Sequence, residues 1–598
     1  MDLRAFGSDM QLSFDLKASL EKWVMEAAQA VADLNETFRP EIRPADPRFG
    51  DFQANGVLPY AKLIKANPRA LAVELTAALR AHSGYDATWV EIDIAGPGFI
   101  NFKFTPKFLQ EWLSHFRGEA DFQAAANTRC AEKTMVVDYP SPNTAKQMHI
   151  GHIRPMVIGD AVQRLLRFSG AKVIRDNHIG DWGTNFGTLI MAIKRAQYTL
   201  DTGAPDALQA IESLYKQGTE LEKSDPAIRE ESRNELVKLQ NGDAENHALW
   251  EKIVTVSNRH CQAIYDFLGI EIDITLGESF YRDRLDRIYA ELGEVGLAEL
   301  SEGAQVVFHP EHPRFKTQPF IIRKQDGASN YATTDLATAL YRVEELRADE
   351  IIYVTDGRQQ DHFAQLFMTV EKWFARKNYP LPRLEHVWFG TILGADGKAI
   401  KTKSGESIKL IELLNEAVQR AFKIVDAKNP ELSDEEKQAV ARVVGIGAIR
   451  YADLSSNRTG DYVFAWEKLL SFEGNTAPYL LYAIARIHSI FKKAQIDPNV
   501  SDWEVQATGL ETAEEIVLAH SLVAFPVALD LALSELRPHH LCTYLYELAG
   551  QFSSFYNANK VIVEDPQLQS RRLMLCARTM RTLETGLHLL GIETLERM

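Results

Sequence analysis

The chain has 598 residues, which is too long for a single hydrophobic core and predicts roughly three to four domains. Hydrophobic residues make up 45% and charged residues 25% of the chain, an ordinary soluble mixture that excludes a disordered or fibrous protein. The formal net charge of −16 gives no support for a nucleic-acid partner, although a local basic patch on an acidic protein can still bind phosphates.

Residues 1–117 predict a small α+β domain. An amphipathic helix is expected over about 16–33, and two strands, TWVEIDIA and GFINFKF, are joined at Gly-Pro-Gly, a strong turn signal. The first residues lack a charged start followed by an apolar run, so no secretory signal is expected and the compartment is taken to be the cytoplasm. The small, polar segment 118–133 is predicted to be a linker.

From about 134 to 400, strand patterns alternate with helices, which predicts crossover connections and a parallel sheet. The charged stretch 205–260 is predicted to be a helical insertion with one solvent-exposed face, and no catalytic role is expected for it. Beyond 408 the pattern is almost wholly helical. These patterns predict three domains, with the limits 1–117, 130–455 and 456–598. The predicted sheet strands are TMVVDY (134–139), AKVIRD (171–176), PFIIRK (319–324), EIIYVTD (350–356) and HVWFGTI (386–392).

Two further features of the sequence argue against a zinc or disulfide protein and against a membrane protein. The four cysteines lie far apart with no CxxC pair, which argues against a structural zinc site and a disulfide framework. The most apolar run, 516–533, contains His520, Pro526 and Asp530. Placing the charged and polar side chains of this run in a lipid bilayer costs free energy. We therefore expect a core helix there and no membrane partner.

The stretch SPNTAKQMHIGH (141–152) lies between a predicted strand and a predicted helix. His149 and His152 are three residues apart and share a face, and Gly151 between them lets a flat ring or a backbone approach. Imidazoles beside a helix N-terminus can donate hydrogen bonds to phosphate oxygens. A pair of structural histidines is the alternative, and the position after a strand favours nucleotide binding.

A second cationic loop, KAIKTKSGES (398–407), follows the strand candidate HVWFGTI and the turn GADG. Its lysines can close over a triphosphate and stabilise the charge that develops during phosphoryl or nucleotidyl transfer. An exposed polar loop is the alternative. The lysines concerned are Lys398, Lys401 and Lys403.

Together the two loops resemble the paired signatures of class I aminoacyl-tRNA synthetases, and residues 141–187 resemble the arginyl-tRNA synthetase version. The resemblance extends over nearly the whole chain. It implies a Rossmann-type α/β catalytic domain with a parallel sheet, a small α+β N-terminal domain and an all-α C-terminal domain. The other matching segments are FGDFQANGVLPYAK, IAGPGFINF, NHIGDWG, YATTDLA, YVTDGRQQDH, SFYNANKVI and LGIETLERM.

An arginine pocket has physical support in the same segments. Tyr331 and Asp335 are four residues apart in a helical pattern, and a carboxylate pairs with a planar guanidinium through two parallel hydrogen bonds. Gln359 follows a strand at the edge where open α/β sheets bind ligands. A solvated carboxylate and a packing tyrosine are the alternatives. The resemblance implies an arginine site formed by Ser141, Pro142, Asn143, His152, Tyr331, Asp335 and Gln359.

The lysine loop departs from the family pattern, because KTKSGES stands where class I enzymes usually carry Lys-Met-Ser-Lys-Ser. We expect Lys401 and Lys403 to contact the phosphates and to act catalytically with His149 and His152. The ATP site is then expected to comprise His149, Gly151, His152, Lys398, Lys401 and Lys403.

The resemblance also implies the reaction and the partners. Arginine attacks the α-phosphorus of ATP, and the terminal ribose of arginine tRNA then takes the arginyl group. Magnesium is expected to bind with ATP, and neither a metal held by the protein nor an organic cofactor is expected. Enzymes of this family are often monomers and often need bound tRNA before they activate arginine, and we expect both properties here. The N-terminal domain is implied to contact the tRNA elbow, and residues 456–598 to bind the anticodon.

In that helical region Tyr556, Asn557 and Asn559 are candidates for stacking on or bonding to unpaired bases. Core and capping roles are equally open for them. Three other functions remain to be distinguished: a class I synthetase for another amino acid, a small nucleotidyltransferase sharing the histidine loop, and a non-catalytic RNA-binding paralogue.

Overall fold

The computed structural model describes residues 12–46, 48–126, 130–325, 330–394, 396–398, 400, 407–499, 504 and 509–598. The chain forms two compact units. One consists of 1–129 together with 471–598, and the other of 130–470.

The N-terminal part of the first unit is built on an antiparallel four-stranded sheet in the order β1-β2-β4-β3. The predicted hairpin is confirmed, because β3 and β4 pair antiparallel on either side of Gly-Pro-Gly. The predicted linker is wrong over part of its length, since Phe122 and Ala126 are buried on one face of the short helix α5. The elements are α1 (Leu16–Ala28), β1 (Ile42–Pro44), β2 (Phe52–Ala54), α2 (Val57–Ile64), α3 (Pro68–Ala81), β3 (Val90–Ala95), β4 (Phe99–Phe104), α4 (Pro106–His115) and α5 (Glu119–Ala126).

A parallel five-stranded sheet in the order β12-β11-β5-β6-β7 forms the centre of the second unit. Buried runs such as Met135–Val137 of β5 are covered on both faces, as a parallel sheet requires. The predicted parallel sheet is confirmed. The elements up to its last strand are β5 (Thr134–Asp138), α6 (Ile153–Phe168), β6 (Lys172–Asn177), α7 (Thr184–Arg195), α8 (Ala207–Ser224), α9 (Pro226–Gln240), α10 (Ala244–Leu268), β7 (Ile274–Thr275), α11 (Glu278–Tyr281), α12 (Leu285–Glu294), β8 (Ala298–Ser301), β9 (Ala304–Val307), β10 (Phe320–Arg323), α13 (Tyr331–Glu344), β11 (Glu350–Tyr353), α14 (Gln360–Lys377) and β12 (Arg383–His386).

Two strand predictions need correction. PFIIRK supplies β10, but β10 pairs antiparallel with β9 in a separate sheet of order β10-β9-β8, because no helical crossover separates it from β9. HVWFGTI is not one strand. The sheet strand β12 ends at His386, and the chain then leaves the sheet, with Gly390 donating its N–H to the Arg458 carbonyl.

Helices α8, α9 and α10 confirm the predicted insertion and pack on α7. Beyond the lysine loop the second unit is mostly helical, as predicted. Its last elements are β13 (Ile392–Leu393), α15 (Leu410–Lys428), α16 (Asp434–Leu454), β14 (Tyr462–Val463) and α17 (Trp466–Leu469), and three single 3-10 turns lie at Ile150–His152, Arg282–Arg284 and Gly357–Gln359.

In its described residues, the C-terminal part of the first unit contains helices joined by loops and turns. Within the described residues, Ala513–Ser534 is the one stretch long and apolar enough to cross a membrane by composition. It forms two helices that meet at Ala524 and pack against α21, instead of the one core helix expected. The elements are α18 (Ala477–Ala494), α19 (Ala513–Val523), α20 (Phe525–Ser534), α21 (His539–Ala558) and α22 (Pro566–Leu589).

The two parts of the first unit share an aromatic core. Phe525, the first residue of α20, packs against Phe14 at 6.2 Å and Phe122 at 5.1 Å between ring centroids, and against Tyr544 at 5.8 Å. Trp112 of α4 lies 6.2 Å from Phe14 in the same cluster. The N-terminal and C-terminal segments therefore bury their apolar surface against each other.

Candidate active site

The histidine turn stands between β5 and α6. His149 caps the 3-10 turn Ile150–His152, and the two imidazole rings lie 4.1 Å apart. Nδ1 of His149 accepts the Gly151 N–H and Nδ1 of His152 accepts the His149 N–H, both at 3.1 Å. The bond to Gly151 favours the His149 tautomer with the proton on Nε2, where it can be donated to a ligand. Nδ1 of His152 also lies 3.2 Å from the His149 carbonyl, so the neutral ring of His152 can carry its proton on either nitrogen.

The surroundings of both rings favour the neutral form. Burial, followed by the charge of Lys146, lowers the pKa of His149, and burial with the neighbouring His149 lowers the pKa of His152 to about 4. The histidines can therefore donate hydrogen bonds to phosphate oxygens, but they do not supply positive charge. Gly151 leaves little spare room, because a Cβ there would lie 2.9 Å from Cε1 of His149.

The histidine turn is bonded through its main chain to the segment that follows the lysine loop. The Ile150 N–H donates to the Ile408 carbonyl at 3.0 Å, and the Leu410 N–H donates to the Met148 carbonyl at 2.9 Å. His149 and Lys409 form the bridge between them. The two signature segments, more than 240 residues apart in sequence, thus meet where α6 and α15 begin.

The lysines themselves are only partly described. Lys398 is exposed, and its N–H donates to Oδ1 of Asp396 at 3.1 Å. Lys401 and Lys403 lie outside the described residues.

The Ser-Pro-Asn segment is fixed at the carboxyl ends of β5 and β6. Ser141 has a positive φ of 51°, its hydroxyl donates to Oδ1 of Asp138 at 2.6 Å, and its N–H donates to Oδ1 of Asn177 at 3.1 Å. Ser141 is thereby held at the edge where open α/β sheets bind ligands.

Pro142 is buried, and its carbonyl accepts the Gly180 N–H at 3.1 Å. Asn143 is exposed and forms a parallel bridge with Gly180. A Cβ on Gly180 would lie 2.2 Å from Oδ1 of Asn143, so the glycine allows this amide to lie against the turn.

Asp335 lies one turn into α13 and is bracketed by two histidines. Its Oδ2 is hydrogen bonded to Nε2 of His362 at 2.6 Å, and its Oδ1 lies 4.0 Å from Nε2 of His178. Tyr331, at the start of the helix, is 62% exposed, and its ring lies 4.7 Å from the His362 ring. The side chains of Tyr331 and Asp335 therefore both approach His362.

A buried arginine links this helix to the Ser-Pro-Asn segment. Arg342 of α13 donates to Oδ2 of Asp138 at 2.6 Å and to Oδ2 of Asp176 at 2.8 and 3.0 Å. Because Asp138 also accepts the Ser141 hydroxyl, the helix that carries Asp335 and the loop that carries Ser141 are joined through one carboxylate.

Gln359 ends the 3-10 turn after β11 and is exposed at the carboxyl edge of that strand. Asp356 caps the turn by accepting the Arg358 N–H at 2.8 Å. This edge is the one that also carries Ser141.

One residue of the site was missed by the sequence reasoning. Glu278 begins the one-turn helix α11, and burial, with the charges of Asp335 and Asp181, raises its pKa to about 8. Asp181 holds the turn, since its carboxylate accepts both the N–H and the hydroxyl of Ser279 at 2.9 and 2.7 Å. A Cβ on Gly277 would lie 2.2 Å from Cγ of Asp181, so this close approach requires glycine.

A separate candidate surface lies on the C-terminal helices. The guanidinium of Arg486 lies over the rings of Tyr482, at 4.9 Å, and of Tyr556, at 5.7 Å. Tyr482 is 42% exposed, Tyr556 is half-buried and Asn557 is exposed. We call these four residues the aromatic surface.

Asn559 does not belong to that surface. It is buried at the end of α21, where its Oδ1 accepts from Arg572 at 3.1 Å and its amide donates to the Phe555 carbonyl at 3.2 Å. Because both ends of the side chain are bonded within the domain, the structure places Asn559 in the capping role.

Comparison with known proteins identifies the family. The model described as tRNA synthetases class I (R), catalytic domain, matches residues 119–466. A DALR anticodon binding domain model matches 480–598, and an arginyl tRNA synthetase N terminal domain model matches 15–104. The chain belongs to the class I arginyl-tRNA synthetases.

Relatives of this family match the chain over almost all of its length. The arginine–tRNA ligase of Edwardsiella ictaluri is 44% identical over 96% of this chain and 97% of its own, and that of Chromobacterium violaceum is 43% identical over 93% and 96%. Among solved structures, the arginyl-tRNA synthetase of Plasmodium falciparum aligns with a TM-score of 0.81 at 27% identity, covering 97% of this chain and 99% of its own. The Thermus thermophilus enzyme aligns with a TM-score of 0.80 at 26% identity, covering 98% and 100%.

Membership of the arginyl-tRNA synthetases confirms the expected fold and the expected arginine–tRNA ligase activity, with ATP as a substrate. It removes the alternatives of a synthetase for another amino acid, a small nucleotidyltransferase and a non-catalytic paralogue. A nucleotidyltransferase that acts only on small molecules would not need the helical region 480–598, which matches an anticodon binding domain.

Proposed function

We propose that the arginyl-tRNA synthetase reaction runs in this chain between the histidine turn and the anionic pocket around Asp335. An arginine carboxylate oxygen bonds to the α-phosphorus of ATP, and the bond from that phosphorus to the bridging oxygen breaks as pyrophosphate leaves. The terminal ribose hydroxyl of the tRNA then attacks the arginyl carbonyl, and AMP leaves. Neither step needs a protein nucleophile, so catalysis consists of positioning and charge stabilisation.

The observation that carries the proposal is the cluster of acidic side chains beside Asp335. Asp335 and Asp181 each lie close enough to Glu278 for their charges, after burial, to raise its pKa. A guanidinium has five donors in one plane and suits paired carboxylates better than an ammonium does. We therefore assign the guanidinium to Asp335 and Glu278, with Tyr331 closing one side.

The opposite end of the substrate is assigned to the loop residues. Ser141, Pro142, Asn143 and His152 lie on the segment that leads from β5 to α6, and Gln359 lies on the neighbouring strand edge. Their polar groups suit the amino and carboxylate groups of arginine, which must be held near the α-phosphorus.

The ATP site is assigned to the two signature segments. His149 and His152 donate Nε2 protons to phosphate oxygens, and Gly151 allows the nucleotide to approach. The positive charge comes from Lys398, Lys401 and Lys403, of which Lys401 and Lys403 are proposed to contact the triphosphate. The main-chain bonds of Ile408 and Leu410 to the histidine turn support this assignment, because they bring the end of the lysine loop to the turn.

Magnesium is proposed to arrive with ATP, held by phosphate oxygens and water. In the part of the chain that the structure describes, no three His, Cys, Asp or Glu side chains are grouped to hold a metal ion. The imidazoles of the turn are also poor ligands for this hard cation. Its chemistry, when it is bound, is to neutralise phosphate charge.

Recognition of tRNA is proposed to involve the aromatic surface and the N-terminal domain. Exposed tyrosine rings and an arginine plane suit stacking on unpaired bases, so Tyr482, Arg486, Tyr556 and Asn557 are assigned to the anticodon loop. The domain limits 1–117, 130–455 and 456–598 are kept as the functional division, with the first contacting the tRNA elbow. We further propose a cytoplasmic monomer that needs tRNA to activate arginine.

Pyrophosphate exchange into ATP tests the pocket. Each of the twenty amino acids is offered to the purified chain, with and without total tRNA, and arginine alone is expected to support exchange. Asp335→Asn should lower kcat/KM for arginine at least about a hundredfold with little change in ATP binding, because charge-assisted bonds are lost.

The control is Asp286→Asn, which removes an exposed carboxylate from α12 and should leave exchange unchanged. Exchange by Asp335→Asn at the wild-type rate would refute the pocket assignment while leaving the family intact.

A further inference from the structure

His362 lies behind the proposed arginine pocket and belongs to no part of it assigned so far. It is the third residue of α14, and its side chain is 11% exposed. Its Nε2 makes a 2.6 Å bond to Oδ2 of Asp335. Within the described residues this is the one hydrogen bond of the Asp335 carboxylate.

The His362 ring is itself fixed on several sides. Its centroid lies 4.7 Å from that of Tyr331, 5.6 Å from that of Phe320 and 5.2 Å from that of Phe363. These rings come from β10, α13 and α14, so three elements determine where Nε2 points. A ring held in this way can orient its partner, whereas a mobile surface histidine cannot.

A carboxylate that receives a guanidinium through two parallel bonds must lie in the guanidinium plane. The Asp335 side chain can otherwise turn about its last bond, because that torsion has a broad profile. A single bond to Oδ2 from a fixed ring removes this freedom and leaves Oδ1 and one lone pair of Oδ2 for the ligand.

We propose that His362 is the positioning residue for Asp335, holding that carboxylate in the plane that a guanidinium needs. The proposal rests on the arginine pocket proposed above. His362 touches no substrate in it and acts through Asp335.

Two amide substitutions test the geometry. Glutamine places its amide nitrogen near the position of Nε2, whereas asparagine is shorter and reaches only the position of Nδ1. His362→Asn should therefore raise KM for arginine about tenfold or more, and His362→Gln should stay within about threefold of the wild type. In both variants, KM for ATP and kcat at saturating arginine should stay within about twofold.

His247→Asn is the matched control, since His247 pairs with Glu251 at 3.5 Å on the surface of α10, and its KM for arginine should not change. A purely structural role for His362 would raise KM for arginine and ATP together, or would make the two amides equivalent, and either result overturns the proposal. Equilibrium binding of arginine and of ATP to each variant gives the same comparison where turnover is low.

Asp335→Asn, measured in parallel, separates the two proposals. Loss of activity in Asp335→Asn with wild-type behaviour in His362→Asn refutes the positioning role alone. Wild-type behaviour in both refutes the pocket as well.

Discussion

At the scale of single residues, the site combines neutral and anionic side chains in separate places. The histidine turn favours neutral rings because burial lowers the pKa of both His149 and His152. The pocket around Asp335 is different, because burial and the charges of Asp335 and Asp181 raise the pKa of Glu278 there to about 8. The sequence predicted Asp335 through its helical spacing from Tyr331, but it could not predict Glu278. That residue follows a two-residue strand and begins a one-turn helix, and neither is long enough to show a periodic pattern.

Glu278 leads to a prediction about protons. Its pKa is raised to about 8, so in the free enzyme it is mostly protonated below pH 8 and mostly charged above. A guanidinium favours the charged form, so arginine binding should release a proton from it. Arginine affinity should then improve as the pH rises from 7 towards about 8, and level off above that value.

Calorimetric titration of arginine at pH 7.5 in two buffers of different ionisation enthalpy measures this release directly. We expect roughly three-quarters of a proton per arginine from the protonated fraction at that pH. Glu278→Gln should bind arginine more weakly and release none. Equal heats in the two buffers for the wild type would contradict the prediction.

At the scale of elements, turns and strand ends do most of the positioning. α6 follows the histidine stretch, where a helix was predicted, and β5, β6 and β11 lie where apolar runs placed them. HVWFGTI misled the sequence reasoning because Val387 and Phe389 are buried outside the strand, and an apolar run does not show whether its neighbours are strands or loops. The approach of Gly277 to Asp181 was equally invisible, because 96 positions of sequence separate them.

Gly277→Ala tests the role of the turn before α11. The new Cβ would lie 2.2 Å from Cγ of Asp181, so the turn must move and Glu278 with it. We expect KM for arginine to rise about tenfold and KM for ATP to stay unchanged, measured by pyrophosphate exchange.

Gly293→Ala provides the control, because Gly293 lies in helix α12 with nothing within 4 Å of its Cβ position. It should leave both KM values unchanged and stabilise the helix by up to about 1 kcal/mol. An unchanged KM for arginine in Gly277→Ala would show that the turn does not position the pocket.

At the scale of the whole molecule, the two ends of the chain belong to one compact unit although the second unit separates them in the sequence. The sequence predicted an N-terminal α+β domain and a C-terminal helical domain, and both exist. It could not predict that they form one compact unit, because residues such as Phe14 and Phe525 meet across more than 500 positions. An apolar pattern shows which face of a helix or strand is buried, but it does not show which other element covers that face.

Phe525→Ala tests this shared core. Removing a fully buried ring from the cluster should destabilise the first unit by about 3–5 kcal/mol, through lost burial and the cavity left behind. Both its N-terminal and its C-terminal segments should become sensitive to protease at the same denaturant concentration.

Phe49→Ala is the control, since Phe49 is 49% exposed and should change stability little. Protease sensitivity gained by only one of the two segments in Phe525→Ala would mean that they unfold independently.

The bonds between Met148, Ile150, Ile408 and Leu410 have a consequence for sequence variation. They use only main-chain N–H and carbonyl groups, which every residue except proline supplies in full. The attachment of the lysine loop to the histidine turn therefore does not depend on which side chains the loop carries. The departure of KTKSGES from Lys-Met-Ser-Lys-Ser therefore leaves the bonds of Ile408 and Leu410 intact. Substitutions between Lys398 and Ser407 are expected to change the charge of this segment while the main-chain bonds of Ile408 and Leu410 persist.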